Sequence, residues 1–126
     1  MSGGRRVGLL WGAVALTLLL TSPLAAAFVP GLPDCFFKST FGVPCPTCGG
    51  SRALEALARL DVAHAFRWNP LVAACLVSFV LGGLVAGSLA LVGRGIREPA
   101  RYPAWLRIAL VGLLALNWAW LVVDGR

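Results

Sequence analysis

Three apolar stretches without a charged side chain determine what this chain can fold into. They cover residues 7–28, 70–93 and 108–123, and the third becomes 105–123 if Arg107 is accepted near its end. A hydrocarbon core about 30 Å thick is crossed by roughly 20 helical residues at about 1.5 Å each, so all three can span a bilayer. The sequence therefore predicts an all-α membrane protein with three transmembrane helices, in a single membrane domain over residues 1–126.

The composition excludes an ordinary soluble domain. Hydrophobic residues make up 59% of the chain and charged residues only 13%, against about 25% in soluble domains. The formal net charge of +6 would suggest nucleic acid in a soluble protein. Here the basic residues flank the apolar stretches and no nucleic-acid motif accompanies them, so we expect the lipid bilayer to be their partner and no nucleic acid to bind.

The arginines also predict an orientation. Short segments on one side of the predicted membrane hold six of them: Arg5, Arg6, Arg94, Arg97, Arg101 and Arg107. The basic residues on the other side are mostly spread along the loop 29–69. Because short cytoplasmic segments are enriched in Lys and Arg, we expect a multi-pass protein of the cell membrane with a cytoplasmic N-terminus and an extracytoplasmic loop.

The first apolar stretch also has features of a signal peptide. Two arginines precede it, and the segment TSPLAAA offers an A-x-A cleavage site that ends at Ala27. Cleavage would leave two membrane helices and would keep the loop on the same side. The apolar stretch is longer than a usual signal core, which favours a retained helix.

The loop 29–69 is predicted to contain two short helices that lie along the membrane interface and join the bundle through leucine and aromatic faces. The first covers 52–60, with a leucine at every third position, and the second covers 62–68. The segment 35–43 carries three phenylalanines and is expected either to lie on the membrane surface or to cap the bundle. Four residues set the helix boundaries: Ser51 and Asp61 as N-caps, and Asn69 and Pro70 at the entry to the second span.

Small and polar residues within the spans predict how the helices meet. Gly83 and Gly87 form a G-x-x-x-G pair that lets two backbones approach closely, and we expect packing within the chain rather than dimerisation. Asn117 is expected to hydrogen-bond another helix. Cys75 is expected to be a small buried apolar residue. The five tryptophans fall near span ends, where an indole ring can lie in lipid with its N–H in water.

The stretch VPCPTCGGSR, residues 43–52, contains the chemistry of the loop. Its C-P-x-C-G pattern is typical of metal knuckles, in which proline fixes φ after the first ligand and Gly49 lets the backbone turn after the second. Zinc prefers four ligands, and Cys45, Cys48 and the upstream Cys35 would supply three. A fourth would be His64, Asp34, Asp61, water or a partner chain, although an ordinary interfacial role is expected for His64. A structural disulfide in place of zinc stays open, as does a motif whose thiols have no role.

The same residues also suit thiol–disulfide exchange. Cys48 lies just before a predicted helix N-terminus, where the helix dipole favours a thiolate. Arg52 in the first turn opposes that dipole by a few tenths of a kcal/mol, and a thiolate, a thiolate–metal centre or a lipid phosphate nearby would offset this cost. Cys45 and Cys48 would be the exchanging pair and Cys35 a third thiol. No thioredoxin-like βαβ pattern surrounds them.

The combined motif resembles a family of small bacterial membrane proteins known as domain of unknown function 2752. The resemblance is close over residues 34–71 and looser in the flanking helices. It is carried by Cys35, TFG at 40–42, CPTCGGSRA at 45–53, Asp61, AF at 65–66 and NPL at 69–71. Two positions depart from the family pattern, which often has glycine where this chain has Thr47 and Leu60. The resemblance implies a membrane protein and supplies no reaction.

These observations predict a non-enzymatic membrane component. Its loop would bind zinc or close a structural disulfide through Cys35, Cys45 and Cys48, and so be shaped for a membrane protein partner or for a second copy of the chain. A membrane thiol–disulfide oxidoreductase that uses the CPTC motif is the alternative. Transport is disfavoured because the spans carry no charged residue near mid-depth.

Overall fold

The structure, a computed structural model, describes residues 3–28, 36–97 and 101–125, and all regular structure within these ranges is helical. The helices in chain order are α1 (Gly3–Phe28), α2 (Phe36–Phe41), α3 (Gly50–Ala58), α4 (Val62–Trp68), α5 (Pro70–Leu91) and α6 (Ala104–Val123). The long helices α1, α5 and α6 are joined by the loop that contains α2–α4 and by a short basic connection.

Three of these helices are long and apolar enough to cross a membrane: Gly3–Ala25 within α1, Pro70–Leu91 and Ala104–Val123. The chain is an all-α, multi-pass membrane protein, as the apolar stretches predicted. α1 begins at Gly3 rather than at residue 7, since arginines at a helix end can extend to the headgroups while the helix continues past the apolar stretch.

The tightest helix contact joins α1 to α5 through small residues. Gly12 of α1 lies against Gly87 of α5, so closely that a Cβ at Gly87 would be 2.9 Å from the Gly12 Cα. One turn away, a Cβ at Gly83 would be 2.6 Å from the Ala15 Cβ. The prediction that the G-x-x-x-G pair serves packing within the chain is confirmed. Lipid gives helices no hydrophobic reason to associate, so this close backbone approach supplies dispersion contacts instead.

The α1–α5 contact extends to the opposite end of both helices from the cysteine motif. The Arg5 Nε donates to the Ala90 carbonyl at 3.2 Å, which places a cation beside the last turn of α5, where the helix dipole is negative. Cleavage after Ala27 would remove every one of these contacts from α5.

Trp11 differs from the expectation that each indole N–H reaches water. Its ring packs against α5, with its centroid 5.7 Å from that of Phe79. The Nε1 is buried and has no hydrogen-bond partner among the described residues. The prediction from its position near a span end was therefore wrong for this ring. The glycines of α5 leave a gap that the large indole fills.

The α3–α4 hairpin packs on the start of α5 through alanines. Ala53 and Ala56 of α3, Ala65 of α4 and Ala73 of α5 form a buried cluster, and Leu57, Trp68 and Val72 border it. The predicted leucine face is therefore only partly correct. Leu54 and Leu60 are 48% and 61% exposed, because the short helices approach more closely on their alanine side than a leucine would permit.

Two polar N-caps fix how α4 and α5 begin; the sequence predicted the Asp61 cap and placed Asn69 only at the entry to the second span. The Asp61 Oδ1 accepts from the backbone N–H of His64 at 3.0 Å, and α4 starts at Val62. The Asn69 Oδ1 accepts from the backbone N–H of Val72 at 3.1 Å, and Pro70 occupies the first helical position of α5. Each cap satisfies a backbone donor that the helix itself leaves unpaired.

α6 packs much more thinly than α1. Its described contacts with other helices are with α5, and its buried residues are Asn117 and Leu121, both near its C-terminal end. The rest of α6 presents apolar side chains outward. The helix is therefore held mainly at the end that lies beside the cysteine motif.

We predict that Gly87→Val lowers the free energy of unfolding by about 1–3 kcal/mol, because the added atoms would overlap the α1 backbone. The matched control is Gly112→Val in α6, where an added Cβ meets no atom within 4 Å. Thermal unfolding of both variants in the same detergent, followed by circular dichroism, checks this. Equal stability of the two variants would contradict the described α1–α5 packing.

Candidate functional site: the cysteine turn

Residues 44–49, called the cysteine turn here, form a compact reversal that leads into α3. The Cys48 N–H donates to the Cys45 carbonyl at 2.9 Å, and the Gly50 N–H donates to the Thr47 carbonyl at 2.8 Å. Gly49 has φ 76° and serves as the N-cap of α3. A Cβ at Gly49 would be 3.0 Å from the Trp68 carbonyl, so the position requires glycine both for its left-handed conformation and for space.

Side-chain donors from two membrane helices hold the inner face of the cysteine turn. The Asn69 Nδ2 donates to the Cys48 carbonyl at 3.0 Å and to the Pro46 carbonyl at 3.4 Å. The Asn117 Nδ2 donates to the same Pro46 carbonyl at 3.0 Å. The Trp118 Nε1 donates to the Pro44 carbonyl at 2.9 Å. We call Asn69, Asn117 and Trp118 the clamp.

The clamp also connects α5 to α6. The Asn117 Oδ1 accepts from the backbone N–H of Leu71 at 3.2 Å, in the first turn of α5. This bond confirms the prediction that Asn117 hydrogen-bonds another helix. Asn69 is fully buried and Asn117 nearly so. Buried amides are costly unless they are hydrogen-bonded, and here both amide groups use their donor and their acceptor.

The two cysteines of the turn differ in exposure. Cys48 is buried, with 6% of its surface exposed, whereas Cys45 is half-buried. The Cys45 Sγ lies 3.3 Å from the Thr47 Oγ1, a contact that glycine at position 47 could not make. Cys75 is exposed on α5, so the expectation that it is buried was wrong: it lies on a side of α5 that no other helix covers.

Cys35 and Asp34, two of the predicted metal ligands, lie outside the described residues. Among the residues that are described, no group of three or more His, Cys, Asp and Glu side chains is placed to hold a metal ion. His64 and Asp61 therefore do not complete a site with Cys45 and Cys48. The Asp61 carboxylate acts as the N-cap of α4 instead.

Ser51 does not cap α3. The helix begins at Gly50, and its N-cap, Gly49, has no side chain. The predicted start was late because glycine in the left-handed region, fixed by its contact with Trp68, begins the helix without a side-chain cap. Ser51 is instead an exposed residue of the first turn.

Arg52 lies over an aromatic ring. Its guanidinium carbon is 4.6 Å from the centroid of the Trp68 ring, a cation–π geometry. The negative partner predicted from the helix dipole is thus replaced, at least in part, by the negative face of an indole. This contact joins the start of α3 to the end of α4, next to the backbone that Gly49 approaches.

A groove of about 470 Å³ lies between the facing sides of α3 and α4. Within it the Arg59 Nη2 and the Glu55 Oε1 form an ion pair at 2.8 Å. The His64 ring lies 6.0 Å from the Trp68 ring. The residues that line the groove are Arg52, Glu55, Ala56, Arg59, Asp61, His64 and Trp68.

Comparison with known families agrees with the predicted resemblance. Residues 35–83 match the family model described as Protein of unknown function (DUF2752). The resemblance is therefore confirmed over these residues. No curated protein and no solved structure gives a significant match. The DUF2752 region contains Cys35, the cysteine turn, the α3–α4 hairpin and the first part of α5, whereas Asn117 and Trp118 of the clamp lie beyond it.

The chain has Leu60 where the family pattern often has glycine, and the turn between α3 and α4 forms nonetheless. The Leu60 N–H donates to the Leu57 carbonyl, and the Asp61 N–H donates to the Ala56 carbonyl, both at 2.9 Å. These two bonds form a Schellman motif, which usually places glycine at the position with positive φ. Leu60 takes that position with φ 61°. The left-handed conformation costs a non-glycine residue about 1–2 kcal/mol.

We predict that Leu60→Gly raises the free energy of unfolding by about 1 kcal/mol, because relief of the left-handed strain outweighs the added chain entropy of glycine. The matched control is Leu54→Gly, at a similarly exposed position inside α3, which we expect to destabilise by a similar amount. Thermal unfolding in detergent measures both. A loss of stability at both positions would contradict the strain at Leu60.

Proposed function

We propose that this protein is a non-enzymatic membrane component in which Cys35, Cys45 and Cys48 form a thiol site that binds zinc or closes a structural disulfide. The site shapes the loop that it anchors for contact with another membrane protein or a second copy. The clamped cysteine turn is the observation that carries this proposal. It holds both cysteines of the motif on a backbone fixed by three side chains.

The geometry of the turn supports a site that is formed before any ligand arrives. A metal knuckle needs its two sulfurs at a fixed spacing and a glycine with positive φ after the second ligand. Gly49 has that conformation, and the clamp fixes the carbonyls on either side of Cys45. A preformed turn reduces the ordering cost when the third cysteine joins.

A bond to Cys35 would anchor the segment that precedes the turn. Zinc bound by Cys35 together with Cys45 and Cys48 would tie this segment to the turn, and metal binding energy at such a site contributes to folding. Phe36 and Phe41 of α2 are 81% and 65% exposed. Anchoring α2 would hold these rings where lipid or a membrane partner can cover them.

The proposed location is the outer side of the cell membrane. The cysteine turn contacts the start of α5 and the end of α6, whereas Arg5, Arg94 and Arg97 lie at or beyond the other end of α1 and α5. Enrichment of arginine at that end favours the cytoplasm for it, which leaves the thiol site in the compartment where disulfides persist.

We predict that the purified protein in detergent contains one zinc ion per chain or one protected Cys45–Cys48 disulfide, and that Cys48→Ser and Cys45→Ser each abolish it. Elemental analysis together with thiol counting in denaturant, with and without reductant, measures both forms at once. Cys75→Ser is the matched control and should retain the zinc or the disulfide, because Cys75 lies on α5 away from the turn. Protein with no zinc and four titratable thiols would refute the thiol site.

Thiol–disulfide exchange is the second candidate, and the unequal exposure of the two cysteines favours it. A substrate thiolate would attack the half-buried Cys45 sulfur of a Cys45–Cys48 disulfide, and Cys48 would leave as a thiolate. A second substrate thiolate would then displace Cys45. The substrate leaves as a disulfide, and Cys45 and Cys48 are left as a dithiol that has gained two electrons. A disulfide-bearing partner would have to reoxidise this dithiol.

For this second candidate we predict that Cys48→Ser traps a mixed disulfide between Cys45 and the disulfide-bearing partner, because the Cys45 thiolate attacks that disulfide and Cys48 is no longer present to displace the partner. Cys45→Ser should trap much less, because Cys48 is the less exposed sulfur. Non-reducing gels of membranes quenched in acid, followed by mass spectrometry of the shifted band, detect the adduct. Equal trapping by both variants would contradict an ordered exchange at Cys45.

A further inference from the structure

We propose that Asn117 and Trp118 are positioning residues of the thiol site, and that closing this site locks α6 against α5. The inference rests on the proposed thiol function for its ligand-dependent half. Its structural half rests on the hydrogen bonds of the clamp alone.

The attachment of α6 is the first step of the argument. In its described residues only Asn117 and Leu121 are buried, both within the last two turns. Its other large apolar side chains point outward over most of its length. Apolar packing between helices gains little in lipid, so hydrogen bonds between helices decide more of the association than they would in water. The bonds at the C-terminal end of α6 therefore dominate its docking.

The second step is where those bonds end. Asn117 and Trp118 donate to the carbonyls of Pro46 and Pro44, which are the residues directly after and directly before Cys45. A change in the position of the Cys45 sulfur that moves the backbone must move one or both carbonyls. Asn69, the N-cap of α5, donates to the same Pro46 carbonyl. The turn therefore connects α6 to α5 through a shared hydrogen-bond acceptor.

The third step is reciprocity. Two processes that share one set of contacts are thermodynamically linked, and each shifts the other by the same factor. Zinc or a disulfide that fixes the turn presents both carbonyls to α6 and stabilises its docked position. Conversely, a docked α6 holds Cys48 in its buried position and lowers its accessibility to reagents.

Thiol labelling tests the positioning half. The protein is treated with reductant and chelator, so that neither zinc nor a disulfide protects the sulfurs, and a small maleimide is added after the reductant is removed. Mass spectrometry then gives the rate at Cys48. We expect Trp118→Phe, which keeps the ring and loses only the N–H donor, to accelerate labelling by about fivefold or more. Asn117→Asp, which keeps the acceptor for Leu71 and loses the donor, should act in the same direction.

The matched control is Trp120→Phe, at an exposed position of the same helix, which should label at the wild-type rate. If Asn117→Asp does not fold, as judged by circular dichroism and gel filtration, Trp118→Phe decides alone. Equal Cys48 labelling rates in wild type, Trp118→Phe and Trp120→Phe would overturn the positioning role. This result is independent of whether the wild type contains zinc or a disulfide.

Fluorine NMR tests the locking half. Protein labelled with 5-fluorotryptophan gives resonances that single Trp→Phe variants assign. We expect the Trp118 resonance to shift when chelator and dithiothreitol open the thiol site, and that of Trp105, at the opposite end of α6, to stay. An unchanged Trp118 resonance in protein that demonstrably loses zinc or its disulfide would overturn the coupling while leaving the proposed thiol site intact.

Discussion

The carbonyl oxygen of Pro46 is the acceptor on which the arrangement of this protein depends. It receives hydrogen bonds from two asparagines, Asn69 at the start of α5 and Asn117 near the end of α6. Both amide groups are buried, so the loss of either hydrogen bond would leave a buried polar group unpaired at a cost in free energy. One backbone atom between two cysteines therefore joins the loop to two membrane helices.

The protein uses two different means to hold helices together in lipid. α1 and α5 associate mainly through glycines and alanines that bring their backbones into contact, with one hydrogen bond from Arg5 to the Ala90 carbonyl at the end of α5. α6 has no such face against the bundle and depends on polar groups at one end. Measured hydrogen bonds between membrane helices contribute about 0.6–2 kcal/mol each, so α6 is the more weakly held of the two.

The sequence predicted features that depend on nearby residues. Charge-free length defined the spans, and Asp61 was recognisable as a cap because a cap bonds a backbone group three residues away. Close packing of Gly83 and Gly87 within the chain was predicted by the same short-range logic, since small residues one turn apart leave a helix face that another backbone can approach; the sequence did not name α1 as the partner.

Predictions failed where distant residues decide the outcome. Serine is a residue type that often caps helices, but α3 begins before Ser51, because Gly49 is held in its left-handed conformation by its contact with Trp68 and acts as the N-cap. Leucine spacing predicted the buried face of α3 only in part, with Leu57 against the cluster and Leu54 and Leu60 exposed, because the sequence alone does not tell how close α4 and α5 come. Asn117 was recognised as a donor, yet its partner Pro46 lies 71 residues away, and Trp118 gave no signal beyond a ring near a span end. Cys75 was assigned to the interior because composition does not indicate which side of a spanning helix is covered.

The two prolines of the cysteine turn give its inner face a fixed polarity. Neither Pro44 nor Pro46 has an N–H, so the backbone of each residue can only accept hydrogen bonds. Side-chain N–H groups of Asn69, Asn117 and Trp118 donate to their carbonyl oxygens. When two helix surfaces in lipid are uniformly apolar, one helix can shift along the other with little change in free energy. A shift of one turn, about 5.4 Å, would carry Asn117 and Trp118 past these oxygens, so the two carbonyls fix the axial position of α6 relative to the turn and to α5.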